Sequence, residues 1–81
     1  MGKQNNHLPT IHNPRYKILI KELVVMRQAA KFKQEDMAEV LGLTQPDISK
    51  IERFERRLDA LELIDWLEAI KGNFNKLKSK L

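Results

Sequence analysis

The stretch "LGLTQPDISKIE", Leu41 to Glu52, puts an unusual concentration of polar and basic side chains on what reads as one short helix. With Ile48 and Ile51 turned inward, one helical turn apart, Gln45, Pro46, Ser49, Lys50 and Arg53 are left facing solvent. An amide, a hydroxyl and two cations on one exposed surface can hydrogen-bond and neutralise charge, which is the chemistry of binding. Elsewhere the chain has no nucleophile–base pattern and no glycine-rich phosphate loop, and His7 and His12 lack neighbouring metal ligands. No enzyme activity, metal or cofactor is therefore expected.

The charge suggests what would be bound. A net charge of +4 with a pI near 9.6 favours a polyanionic partner. The distribution says more than the total. Residues 1–34 hold Lys3, Arg15, Lys17, Lys21, Arg27, Lys31 and Lys33 against Glu22 alone, whereas residues 58–70 hold Asp59, Glu62, Asp65 and Glu68 without a base. One side should be basic and the other acidic. The absence of cysteine removes disulfides and thiolate metal sites. No apolar run approaches the roughly 20 residues that cross a bilayer. The opening "MGKQNNHLPTIHNP" is too polar for a secretory signal, so a cytoplasmic setting is expected. The terminal Ser79-Lys80-Leu81 matches a peroxisomal address, but Leu81 continues a helical period and the match reads as coincidence.

These groups have to be positioned by short helices. Residues 1–13 show no hydrophobic period and read as a flexible arm, ahead of a domain over 14–81. Asn13-Pro14 is a helix start, a capping side chain followed by proline in the first turn. Tyr16, Leu19, Ile20, Leu23, Arg27 and Ala30 then form one stripe. A second helix is expected over 34–41, with Glu35 and Asp36 favouring its positive end and Gly42 closing it in a left-handed conformation. Thr44 caps a third over 45–53, where Pro46 costs nothing because first-turn N–H groups have no helical partner. Asp47 can complete a capping box with Thr44. Two short helices about a glycine turn, the second exposed, make a helix-turn-helix.

The run "LVVMRQAAKFKQEDMAEVLGLTQPDISKIERFERRLDALELIDWLEAI" resembles the phage-repressor (Cro-type, or Xre) helix-turn-helix family over about residues 14–72. The shared features are an arginine, a glutamine opening helix two, an alanine inside it, the turn glycine and an Ile-x-x-Ile-Glu ending. The resemblance implies roles for individual residues. Gln34 would bind backbone phosphate and brace Gln45, whose amide can pair with adenine N6 and N7. Lys50 would reach guanine, and Pro46 would meet a thymine methyl. Lys33, Thr44, Ser49 and Arg53 would contact phosphate and set the register. Arg27 and Glu52 would form a structural ion pair locking helix one to helix three.

Two places depart from a plain copy of that pattern. Where the family has a glycine after helix three, this chain has Phe54, which disfavours positive φ. Helix three is therefore expected to run on or close differently, displacing the loop that carries the phosphate candidates Arg56 and Arg57. Helix four, from Asp59 to about Ile70, is apolar over more than half its circumference. Leu63, Trp66, Leu67 and Ile70 suffice for a core, leaving Leu61 and Ile64 in surplus. Gly72 should end this helix and Asn73 should cap a fifth, with Phe74, Leu77 and Leu81 one turn apart. Leu61, Ile64, Phe74, Leu77 and Leu81 are the expected homodimer seam.

The sequence thus predicts an all-α bundle of five short helices around a central helix-turn-helix. Its expected function is sequence-specific binding of a pseudo-palindromic double-stranded DNA operator, as a dimeric regulator, a repressor of bacterial or phage origin at the nucleoid. Nothing reads as a sensor domain, so its concentration, a protein partner or degradation would regulate it. The alternative is an antitoxin or adaptor that binds a toxin-like protein through the acidic side of helix four.

Overall fold

The computed structural model describes residues 10–81; the opening nine residues, with Lys3, His7 and most of the expected arm, lie outside the described residues. The described chain begins with a 3-10 turn, Thr10–His12, closed by the Asn13 N–H on the Thr10 carbonyl at 2.9 Å. Ile11 in this turn is half-buried against the core. The arm therefore stops short of residue 13, because one apolar side chain and the cap behind it are enough to fix a turn.

Five helices follow: α1 Pro14–Ala29, α2 Gln34–Leu41, α3 Gln45–Glu52, α4 Ala60–Ala69 and α5 Phe74–Lys78. The starts are set by side chains that accept orphan N–H groups. Asn13 accepts from Arg15 at 2.8 Å, Asp59 from Glu62 at 2.8 Å and Asn73 from Asn75 at 2.8 Å. At α2 the cap residue is Lys33, which has no acceptor. There only the return half of a capping box exists, from the Lys33 N–H to the Asp36 carboxylate at 2.9 Å.

The helix ends share one device. In α1, α2, α3 and α4 a residue just past the end turns left-handed, and its own N–H and the next one return to the last turn. At α3 these bonds run from Phe54 to the Ile51 carbonyl at 3.1 Å and from Glu55 to the Lys50 carbonyl at 2.8 Å. The left-handed residues are Lys31, Gly42, Phe54 and Lys71, at φ 65°, 70°, 64° and 54°. Two expectations change here. Phe54 neither extends α3 nor alters its closure; it takes the glycine's conformation, because two hydrogen bonds and a packed ring offset the strain. Gly72 is not the left-handed residue of α4. It is small for another reason: a Cβ there would lie 2.6 Å from Met26 Cε and 2.9 Å from Leu67 Cδ2.

Tyr16, Ile20 and Leu23 of α1, Met37 and Ala38 of α2, Ile48 and Ile51 of α3, and Trp66 and Leu67 of α4 form the core. Trp66 is fully buried and its indole N–H donates to the Leu23 carbonyl at 3.3 Å. Leu77 of α5 belongs to this core as well, only 1 % exposed, which removes it from the expected dimer seam. The sequence allotted the monomer too small a core because the return of α5 onto α1 has no local signal. Tyr16 adds one further tie: its phenol oxygen accepts the Leu58 N–H at 3.0 Å, pinning the loop ahead of α4.

Candidate nucleic-acid interface

A chain of hydrogen bonds runs from inside the molecule to the tip of α3. Arg27, 7 % exposed, donates through Nη1 to the Phe32 carbonyl at 2.7 Å. Its Nε and Nη2 grip the Glu52 carboxylate at 2.7 Å and 3.1 Å, a fork that fixes both side chains. Gln34 Nε2 donates to Glu52 Oε1 at 2.9 Å, and Gln45 Nε2 donates to Gln34 Oε1 at 2.7 Å. The direction of this chain follows from the charge at its root. An ionised carboxylate only accepts, so Gln34 must turn its NH2 to Glu52 and its carbonyl to Gln45. Gln45 must then donate in turn. One N–H is used, and the other N–H and the carbonyl remain for an external partner.

Around this tip the helix start is stiff. The Thr44 hydroxyl accepts the Asp47 N–H at 3.2 Å and the Asp47 carboxylate accepts the Thr44 N–H at 3.0 Å. That backbone bond, helped by the Thr44 hydroxyl, holds the Asp47 carboxyl below its usual range. Pro46 and Lys50 are exposed on the same helix, and Lys33 is exposed at the start of α2.

The arginines are more committed than their sequence suggests. Arg53 bonds the Ser49 hydroxyl through Nη1 and forks onto Glu55 at 3.3 Å and 3.1 Å. The Glu55 hydrogen bond and charge raise the Arg53 pKa, and the same bond lowers that of Glu55. Arg56, expected at phosphate, instead grips Glu62 with both terminal nitrogens at 3.1 Å, tying the loop to α4. Its pKa is raised chiefly by that hydrogen bond. Arg57 is exposed. The sequence reading missed both carboxylate partners, although Arg53-x-Glu55 and Arg56 ahead of the first turn of α4 were visible spacings. It also missed the Gln34–Glu52 link, which joins the ion pair and the glutamine pair into one unit.

The surplus apolar groups lie elsewhere. Leu61, Ile64, Phe74 and Leu81 are 67 %, 51 %, 54 % and 38 % exposed.

A helix-turn-helix family profile matches residues 25–77, spanning the stretch from mid-α1 to α5. The solved structure of an XRE-family like protein from Pseudomonas syringae pv. tomato str. DC3000 is similar to this chain at 42 % identity. The similarity covers 88 % of this chain and 87 % of that one, with a TM-score of 0.74. The chain belongs to the XRE-family helix-turn-helix proteins. None of the curated proteins matches it. As an XRE-family domain it is a DNA-binding regulator by fold, with α2 and α3 as the helix-turn-helix. No described helix is long and apolar enough to cross a membrane.

Proposed function

We propose that this XRE-family protein is a dimeric, sequence-specific repressor that lays α3 in the major groove of double-stranded DNA. The observation that carries the reading is the half-buried amide of Gln45, fixed at the first turn of α3. Held through Gln34 and Glu52 by the buried Arg27, it offers one carbonyl and one N–H side by side, the complement of adenine N7 and N6. Because the side chain is already fixed, little rotamer entropy is lost on docking. Lys50 reads guanine and Pro46 meets a thymine methyl. Lys33, Gln34, Thr44, Ser49, Arg53 and Arg57 hold phosphates, while Arg56 is left to the structure of the loop. The protein acts in the bacterial cytoplasm at the nucleoid.

Selection of bound sites from random DNA, repeated with Gln45→Ala, tests the reading. Gln45→Ala should cost about 1–3 kcal/mol on the selected site and spare random duplex. Lys33→Ala should weaken both alike and reduce the salt slope by about one. Unchanged site preference in Gln45→Ala removes α3 as the reader.

The outer face of α4, where Leu61, Ile64, Asp59 and Glu68 are exposed while Glu62 is taken by Arg56, supports a second reading as an antitoxin or adaptor. A toxin-like gene beside this one would favour that reading, and a divergent promoter would favour the repressor.

A further inference from the structure

The left-handed turn at Phe54 does more than end α3. It brings the ring back toward α1, where Lys17 Nζ sits 5.5 Å from the ring centroid. Ring and helix together wall a groove of about 680 Å³, with Val24 and Val25 on one side and Phe54 on the other. Lys21 and Arg53 stand on its lips, and Gln34, Ser49 and Glu52 complete it. A glycine at position 54 would leave that wall missing. Val25 is 56 % exposed, an apolar cost that a filled groove would remove.

We propose that this groove binds a small amphipathic carboxylate, an acyl or arylalkanoic acid, and that its binding opposes DNA binding. The volume lies in the range of small-molecule sites, about 300–1,000 Å³. The charge selects an anion. Lys21 and Arg53 line the groove and Lys17 lies over the Phe54 ring; the one lining acid, Glu52, is already paired with Arg27, and Glu55, which forks onto Arg53, is outside the lining. The Val24–Val25–Phe54 wall selects an apolar body, which a DNA phosphate lacks. A carboxylate seated between Lys21 and Arg53 takes the charge of Arg53 and the hydrogen bond of Ser49 that would otherwise go to phosphate. It also lies against Gln34 and Glu52, which position Gln45. Linkage then requires ligand and DNA to weaken each other by the same factor. This second half rests on the DNA reading; binding in the groove does not.

The test titrates the full ¹⁵N-labelled chain with decanoate below its micelle concentration, with 1-decanol and decyltrimethylammonium as matched-tail comparisons. Saturable amide shifts at Val24, Val25, Ser49 and Phe54 with decanoate, weaker with the alcohol and absent with the ammonium, are expected. Val25→Gln, at an exposed position outside the DNA surface, should lose these shifts and bind DNA as the wild type does. Decanoate should lower wild-type affinity for the selected DNA about fivefold or more and leave Val25→Gln unaffected. Shifts centred on Ile64 and Phe74, an equal response to the ammonium, or no saturable response to decanoate overturns the site. Groove binding with no effect on intact DNA binding overturns the coupling. If no duplex binds at all, the shifts still establish the groove, and it is the repressor reading that fails.

Discussion

Phe54 combines a left-handed backbone, which costs a side-chain-bearing residue about 1–2 kcal/mol, with a ring that is half-buried under Lys17. The two effects separate by substitution. Alanine removes the ring but keeps most of the strain, whereas glycine removes both. Thermal unfolding should therefore place Phe54→Gly above Phe54→Ala by about 1 kcal/mol. Phe54→Gly should fall at or below the wild type; a higher midpoint would mean the ring contributes less than the strain. Glu55 poses a different question. Its fork on Arg53 is solvent-exposed, so it adds little stability. It does occupy the guanidinium that is to meet a phosphate. Glu55→Gln should therefore strengthen binding to all duplexes alike and steepen the salt slope by about one, without changing site preference. A loss of affinity in that variant would mean that Glu55 holds Arg53 in its docking pose. Single-residue chemistry was the most legible layer of the sequence. The family resemblance named both members of each pair, Arg27–Glu52 and Gln34–Gln45, since both are fixed by the helix-turn-helix register. The competing carboxylates were not legible, because which of several acids an arginine grips depends on loop geometry.

At the scale of helices, starts were readable and, apart from the left-handed Gly42 that closes α2, ends were not. Asn13, Thr44, Asp59 and Asn73 all cap as their side-chain chemistry dictates, each by a local bond spanning two or three residues. Ends depend on which residue accepts positive φ, and only one of the four is glycine. Lys31 and Lys71 are exposed and take φ 65° and 54° with no ring to hold them there. Each is a site of uncompensated strain. Lys31→Gly and Lys71→Gly should each raise stability by about 1 kcal/mol in chemical denaturation, with unchanged cooperativity. The contrast with Phe54 is the point of the experiment: the same conformation gives opposite results depending on whether a packed side chain is lost. If both lysine variants destabilise, the unfolded-state entropy gained by glycine outweighs the relief. The reassignment of Gly72, from helix cap to close contact with Met26 and Leu67, has the same origin. Sequence marks a small residue but not which of its two uses applies.

For the molecule as a whole, the burial of Leu77 narrows the proposed dimer seam to Leu61, Ile64, Phe74 and Leu81. Leu61 and Ile64 lie one turn apart on α4. Ile64 and Phe74 border a hollow of about 280 Å³ whose other walls are Leu63, Leu67, Gly72 and the charged Glu68 and Lys71. A protruding ring beside a hollow is the shape a two-fold contact needs, since each copy can present the ring to the other's hollow. DNA adds a geometric condition. Half-sites one helical turn apart put the two recognition helices about 34 Å from each other, which suits paired bodies whose extents are 39 × 26 × 18 Å. The seam and α3 need not overlap, so an acid placed in the seam should separate assembly from recognition. Ile64→Glu puts a charge against its own copy across the two-fold axis. It should yield a folded monomer with the wild-type circular dichroism spectrum. That monomer should still prefer the selected half-site, but lose the cooperative occupation of a full pseudo-palindrome. Sedimentation at tens of micromolar and footprinting on half and full sites read the two effects independently. A wild type that sediments as a monomer and binds one copy per selected site would remove the dimer and, with it, the two-fold operator.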